Sequence, residues 1–507
     1  MEDKKCITNN DILKNKYNSS DFRGKNIVAE SASLVDTTLE NCEIGENVEI
    51  SNSYLKDCYV SAGSKIGTFK MQKKEEKRLF GTDGIRGVYG QDFTEVTAEN
   101  LAKALCYEKK VKIVVGRDTR ESGKILFDAF SGAVKKLGGQ ILDLGITTTP
   151  AVSFMTKQHK ADFGVVITAS HNPVEFNGFK VLGPDGEKIS VEQEKKIEDM
   201  FDSPMPEVET QGRIRKINLQ PYADFILGVD ENKFDGLKIV LDCANGATST
   251  IAPTIFEDLH ADVITTFSNG MINYKCGAVY PESLARLVVQ NKADIGFAFD
   301  GDGDRIVAVN SKGQILDGDE ILYILAWYYN TLNKMPSKKV VGTKLTNLGI
   351  ENKLLGLGLE LLRVDVGDKY VKEKMADEGI EIGGEQSGHL MLSDYGKSAD
   401  GLLIARILTS IYLENKHIFF AVKDNNYMQA HKTIKLVEEL PTTFFESSEF
   451  KTLLNFFQAK LKTGRILIRP SGTEPMIRIM VECTDWVTAN VFANEIRKKL
   501  IVLLKGG

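Results

Sequence analysis

Short apolar runs rich in β-branched residues punctuate this chain, and four of them end in loops of small, polar and charged residues. Val165-Val166-Ile167 runs into Thr168-Ala169-Ser170-His171-Asn172, and Pro173 stops the element. Ile295 to Phe299 leads to Asp300-Gly301-Asp302-Gly303-Asp304-Arg305, and Ile380 to Gly383 leads to Gly384-Glu385-Gln386-Ser387-Gly388-His389. Arg465 to Ile468 leads to Arg469-Pro470-Ser471-Gly472-Thr473-Glu474-Pro475. Each pattern predicts a buried strand that delivers a polar loop.

Helical periodicity fills the intervals. Lys112 to Val115 predicts a strand leading to Gly116-Arg117-Asp118-Thr119-Arg120, Ile125 to Leu137 an amphipathic helix, and Gln140 to Leu144 a further strand. This alternation predicts an α/β protein, with a mixed or parallel sheet covered by helices. The pattern then repeats. Leu237 to Asp242 opens a second unit that closes on the Asp300 loop, and Lys339 to Thr343 a third that closes on the Glu385 loop. The expected domains are 78–220, 221–317 and 318–428, with a smaller last unit at 429–507.

The first seventy residues follow another rule. Apolar positions Leu34, Leu39, Ile44, Ile50, Leu55, Val60 and Ile66 recur every five or six residues among Asn, Asp, Ser, Glu and Gly. That spacing resembles the hexapeptide repeats of a left-handed β-helix, in which each short strand is one side of a triangular coil. About two coils are present, fewer than the roughly three that such stacking needs to be stable alone. Residues 1–70 are therefore expected to pack on the rest of the chain or on another chain, either a further copy or a partner with a similar β-helix; a polar leader is the plainer alternative. Phe69 to Arg78, dominated by Lys and Glu, reads as a linker or a short exposed helix.

Composition narrows the function. A hydrophobic share of 42% and a charged share of 26% over 507 residues suit a multidomain globular protein. The net charge of -6 offers no basic excess for nucleic acid. No secretory signal follows Met1, and Ile411 to Val422 is broken by Glu414, Lys416 and His417, so no membrane span is expected. Seven scattered cysteines without a CxxC pair point to reduced thiols in the cytoplasm.

The loops themselves carry chemistry. A lone serine in a turn is usually structural, but Ser170 has unusual company. Alternate carboxylates Asp300, Asp302 and Asp304 on a glycine-spaced loop can converge on a hard cation such as Mg²⁺. An EF-hand reading fails, because Ser311 stands at the twelfth position where a bidentate Glu is required. Arg305 supplies a fixed cation beside a phosphate. Glu385 and Ser387, at alternate positions, can grip adjacent hydroxyls, and His389 can orient a substrate or share a proton. Arg469, Ser471, Gly472 and Thr473, with Arg478, suit a phosphate that does not react. Together these loops form a kit for phosphoryl transfer.

The four loops in this order resemble the α-D-phosphohexomutase superfamily, and Phe80-Gly81-Thr82-Asp83-Gly84-Ile85-Arg86-Gly87 resembles its opening motif. Within it the chain is most similar to the bacterial phosphoglucosamine mutases, on that motif and on Gln386 inside the sugar loop. The resemblance runs from about Arg78 to the C-terminus. It implies three similar α/β domains and a smaller α+β domain around one cleft, the last moving as a lid. It also implies a phosphorylated Ser170 as donor and one Mg²⁺ per subunit held by Ser170, Asp300, Asp302 and Asp304. Lys180, in Asn177-Gly178-Phe179-Lys180, becomes an acid/base whose pKa neighbouring cations would lower. His171 becomes a loop-ordering residue, and Arg86, Arg117 and Lys369 line the cleft.

The implied reaction interconverts glucosamine 6-phosphate and glucosamine 1-phosphate through a bisphosphate. The alternative is a glucose/mannose phosphomutase: Thr168 is more usual there, and Lys369 stands where the superfamily more often has Arg. Another class, a non-catalytic sugar-phosphate sensor, would betray itself by a missing nucleophile or metal carboxylate, and neither is missing. The expected partners are a small sugar phosphate and a further copy of the chain, with no nucleic acid and no membrane.

Overall fold

The computed structural model describes residues 78–505, apart from 82, 205–210, 397, 425, 437–439, 441–442 and 472–474, and a series of short strands between Lys4 and Ile66. The linker expected at residues 69–78 lies almost wholly outside the described residues. The chain divides into two compact units, Met1–Arg78 and Leu79–Gly507.

In the first unit, two- to four-residue strands pair in three ladders. One aligns Tyr17 with Leu34, Leu34 with Ile50, and Ile50 with Ile66, all parallel. A second joins Asp21–Arg23, Thr38–Glu40 and Tyr54–Lys56. The third joins Asn26–Ala29, Glu43–Ile44 and Tyr59–Val60, with Lys4–Ile7 antiparallel on its outer edge. Val28, Leu34, Leu39, Ile44, Val48, Ile50 and Val60 form its buried cluster.

The second unit contains four sheets in chain order. The first runs Ile85–Val88, Phe176–Leu182, Phe163–Ile167, Lys112–Arg117, Gln140–Ile146, Arg213–Lys216. The second runs Asp262–Thr266, Lys238–Asp242, Ile295–Phe299, Ile306–Asn310, Ile315–Leu316, and the third Glu360–Val364, Lys339–Thr343, Ile382–Gly384, Leu390–Leu392. The last is an antiparallel sheet of Met428–Lys435, Met476–Cys483 and Arg465–Pro470.

The first three sheets share one device. A buried strand parallel to its neighbour ends in a loop, and the chain returns antiparallel beside it: Phe163–Ile167 with Phe176–Leu182, Ile295–Phe299 with Ile306–Asn310, and Ile382–Gly384 with Leu390–Leu392. All four polar loops are thus hairpin connections, the fourth joining Arg465–Pro470 to Met476–Cys483. Ile295–Phe299 is buried at every residue, which is why it reads as an unbroken apolar run. One continuous core serves the first three sheets, with members from Val114 to Val422, while the C-terminal sheet has its own core, from Ala430 to Leu500.

The helix expected from Ile125 starts earlier, at Glu121. Glu121 to Lys124 carry no strong apolar period, but Arg120 is anchored elsewhere and the chain turns helical directly after it. Among the described residues no helix is long and apolar enough to cross a membrane.

Candidate active site

Ser170 is fully buried and sits in the left-handed region at φ 51, a costly conformation for serine that its surroundings enforce. Its N–H donates to Thr168 Oγ1 at 2.9 Å. Its carbonyl accepts from Arg120 Nη2 at 3.1 Å and from Asn273 Nδ2 at 2.7 Å. Its hydroxyl donates to Asp300 Oδ2 at 2.8 Å and lies 3.3 Å from His171 Nδ1. Burial, with Arg305 and Arg86 nearby, pushes His171 down to about 4, so its imidazole is neutral.

Arg120 and Asn273 were not singled out from the sequence. Arg120 has a fully buried side chain and also donates to the carbonyls of Asn172 (2.8 Å), Phe176 (2.8 Å) and Pro173, while its Nε meets Asp118 at 3.0 Å. Asn273 reaches in from the loop that follows strand Asp262–Thr266 and shares the Asn172 carbonyl at 3.1 Å. Nothing local marks either residue, because their partners on the serine loop lie 50 to 103 positions away. Arg117, expected to line the cleft, instead meets Asp143 at 3.4 Å and the face of Phe127 at 5.1 Å.

The Asp300 loop closes against the serine. Asp300, Asp302 and Asp304 are buried, and one oxygen from each lies within 4.8 Å of the others. Thr149 Oγ1 donates to Asp302 Oδ2 at 2.6 Å, tying this loop to the first sheet. Burial and the two neighbouring carboxylates push Asp300 well above the usual range. Gly301 has no room for a side chain, since a Cβ there would stand 2.6 Å from the Ser170 carbonyl.

Lys180 corrects an expectation. Its Nζ lies 2.6 Å from Asp304, 2.8 Å from Asp302 and 3.2 Å from Asp83. Burial alone would lower its pKa, but the three carboxylates hold it well above the ordinary lysine value. The neighbours that decide its charge are anions rather than cations. Asp83, paired with Arg86, is in turn held well below the usual carboxylate range: burial is outweighed by Lys180, Lys188 and Arg86. Lys188 bridges Asp83 and Asp368 at 2.9 Å each, joining the first sheet's loops to the third unit.

The sugar loop lies on the aspartate loop through an isolated pairing of Arg305 with His389. Gly388, at φ +90, gives its carbonyl to Ile306 N at 3.1 Å, and a Cβ there would fall 2.1 Å from the Ile306 carbonyl. His389 Nε2 stands 3.9 Å from Asp304, and Glu385 Oε1 accepts from Gly367 N at 2.9 Å. Ser387 and Lys369 are exposed, Lys369 lying 3.8 Å from Glu373. Arg469 and Arg478 face each other across neighbouring strands and line a groove with His431, Lys432 and Thr433. Burial and the adjacent Arg478 lower Arg469, while Asp365 and Glu385 oppose this, which places the groove within electrostatic reach of the sugar loop. Ser471 N donates to Met476 O at 2.8 Å and closes the hairpin, whereas Gly472 and Thr473 lie outside the described residues.

Buried polar atoms without a protein partner gather here: Arg86 Nε, Asp302 Oδ1, Asp304 Oδ1, Arg305 Nε and His389 Nδ1. Such a cluster of unmatched donors and acceptors suits a polar, anionic ligand together with a cation. An all-oxygen donor set with free carboxylate oxygens fits a hard divalent cation.

Residues 77–207, 220–313 and 317–425 match α/β/α domains I, II and III of phosphoglucomutase/phosphomannomutase, and residues 449–499 match its C-terminal domain. The chain belongs to the phosphoglucomutase/phosphomannomutase family. Phosphoglucosamine mutases of Thermoanaerobacter sp. (strain X514) and Clostridioides difficile (strain 630) are 39% and 40% identical to it. They align over 83% and 80% of this chain and 98% and 95% of their own. A phosphoglucomutase/phosphomannomutase family protein from Burkholderia thailandensis shares the fold with a TM-score of 0.69 at 24% identity, over 83% of this chain and 97% of its own. Aspergillus fumigatus N-acetylphosphoglucosamine mutase, solved with GlcNAc-6P and magnesium, does so with a TM-score of 0.58 at 16% identity, over 83% and 95%. The chain is therefore an isomerase of the phosphohexomutase type, with the four-domain α/β architecture of that family.

Proposed function

We propose that this enzyme interconverts glucosamine 6-phosphate and glucosamine 1-phosphate, feeding amino-sugar nucleotide and cell-wall precursor synthesis in the cytoplasm. The observation that carries the reading is the Ser170 hydroxyl, presented to Asp300 inside a buried pocket where unmatched donors and carboxylate oxygens converge. The glucosamine preference rests on the relatives' activity and on Gln386.

Ser170 is phosphorylated in the working enzyme. In the forward step the bond from phosphorus to Ser170 Oγ breaks as one to the sugar O1 forms, giving a 1,6-bisphosphate. The O1 proton passes to His389, whose Nδ1 has no protein partner. Lys180, held charged by its carboxylates, donates a proton to the departing serine oxygen. Arg305 steadies the transferring phosphoryl group. Asp300, Asp302, Asp304 and Ser170 would hold one Mg²⁺, which when bound neutralises charge developing on that group. The bisphosphate then reorients, and its 6-phosphate returns to Ser170 by the same steps reversed. Glu385 and Ser387 hold the sugar hydroxyls, with Arg86 and Lys369 lining the cleft. Arg469, Ser471, Gly472, Thr473 and Arg478 hold whichever phosphate is idle.

A coupled assay with Mg²⁺, comparing glucosamine, glucose and mannose phosphates on wild type and Ser170→Ala, tests this. Glucosamine preference that vanishes in the variant supports substrate and nucleophile together. Preference for glucose or mannose moves the substrate to the alternative that Thr168 and Lys369 favour. No turnover, even after priming with a bisphosphate, overturns the reading.

Residues 1–70 form, in this reading, a β-helix-like segment through which copies associate. Its support is the three parallel ladders and the cluster between them. Unchanged sedimentation after deleting 1–70 would remove the proposed role.

A further inference from the structure

Gln386, in the sugar loop, turns its amide toward the C-terminal sheet. Its Nε2 donates to Gln429 Oε1 at 3.1 Å. The roles of the two amides are fixed by what lies behind them: Gln429 Nε2 donates to Leu345 O at 3.0 Å and to Glu482 Oε1 at 2.9 Å, leaving only its oxygen for Gln386. Glu482 is fully buried, and its other oxygen takes Arg465 Nε at 2.5 Å. Arg465 then donates to the carbonyls of Lys344 and Thr346, at 2.8 and 2.7 Å.

Gln429, Glu482 and Arg465 are register partners, one row across the three strands of the C-terminal sheet. Four residues along the same strands stand Thr433, Arg478 and Arg469, also register partners. An even offset keeps both rows on one face, about 13 Å apart. The first row grips residues 344–348 of the third unit, and the second is the phosphate row. Gln429 is the second residue of the strand that follows Tyr427, in the connecting segment that Asn347 pins from both sides.

The geometry points to the Gln386–Gln429 bridge as a positioning latch, which couples the sugar loop to the tilt of the C-terminal sheet and so sets where Arg469 and Arg478 stand over the substrate. The latch acts through the phosphate row, not by touching the reacting atoms. It deepens the mutase reading and rests on it for its kinetic consequence, though its mechanical part does not.

Hydrogen exchange on the full chain without sugar phosphate tests the mechanical part. Gln386→Ala should raise exchange across residues 426–435 by about three- to tenfold, the worth of one neutral hydrogen bond, and Gln429→Ala, which also loses the bonds to Leu345 and Glu482, should raise it further. Gln386→Glu, which sets an acceptor against Gln429 Oε1, should raise it more. Unchanged exchange in Gln386→Ala, or a milder effect in Gln386→Glu, overturns the latch. In the mutase assay Gln386→Ala should raise KM for the sugar phosphate about three- to tenfold, Gln429→Ala at least as much, and the double variant no further than Gln429→Ala alone. Multiplying effects overturn the coupling. A wild-type protein with no mutase turnover would sink the functional reading while leaving the exchange result to judge the latch.

Discussion

Asn273 offers a way to weigh loop positioning against substrate contact. It makes two hydrogen bonds, to the carbonyls of Ser170 and Asn172, and both carbonyls also accept from Arg120. Removing the amide therefore orphans neither carbonyl, and the loss is about 1 kcal/mol per bond, roughly 2 kcal/mol together. Asn273 itself has φ 58. Glycine accepts that backbone freely, whereas alanine adds about 1–2 kcal/mol of left-handed strain. Asn273→Gly thus isolates the hydrogen bonds. If their loss is felt where Ser170 must hold its geometry, kcat falls about thirtyfold. KM for the sugar phosphate should stay within about threefold, because Asn273 has no described contact with the sugar loop or the phosphate row. Asn273→Asp keeps the backbone but turns a charge toward two carbonyls, and should be slower than the glycine variant. Steady-state kinetics, with a melting curve to confirm folding, decide the matter. A glycine variant within twofold of wild-type kcat, or one impaired through KM alone, refutes the argument.

Other outcomes follow from the same contacts. Gly301→Ala places a Cβ 2.6 Å from the Ser170 carbonyl and 2.8 Å from Ile272 Cδ1, so activity should fall at least tenfold while the melting temperature also drops. Chelation should abolish turnover and added Mg²⁺ restore it; in Asp302→Asn, calorimetric Mg²⁺ affinity should weaken at least tenfold. Asp400, which caps the helix Gly401–Glu414 and accepts from Tyr222, is pushed by burial to about 6. A carboxyl raised in the folded state favours folding when protonated, so its contribution is full below about pH 4 and is lost as pH rises through 6, about 3 kcal/mol in all. Asp400→Asn keeps both partners without the charge, so it should raise the melting temperature at pH 7.5 and give no gain at pH 4.5.

The four loops were legible because each is contiguous and follows an unbroken apolar strand, so local pattern alone places it. The repetition of units that close on a polar loop was visible for the same reason, whereas the antiparallel return strand that makes each loop a hairpin came only from the structure. What pattern could not supply is what reaches a loop from elsewhere. The sign of the Lys180 shift depended on Asp302 and Asp304, more than a hundred residues on, and the sequence neighbourhood misled. Arg117 and Arg120 look equivalent in Gly116-Arg117-Asp118-Thr119-Arg120, yet only Arg120 folds back onto the serine loop. Gln386 stood out as a residue type, but its partner lies on the other side of the connecting segment.

The shared grip on the Ser170 carbonyl also sets an order in time. Arg120 precedes the serine in the chain, but Asn273 and Asp300 follow it by 103 and 130 residues. A ribosome therefore releases the serine well before Asn273, which shares its carbonyl, and Asp300, which receives its hydroxyl. Until the second sheet has emerged and docked, the nascent first domain has only Arg120 and Thr168 to hold the serine's backbone, and nothing to receive its hydroxyl from Asp300. The serine's full set of contacts is therefore completed only when a neighbouring domain is built, so a truncated or stalled chain would lack the Asp300 and Asn273 partners.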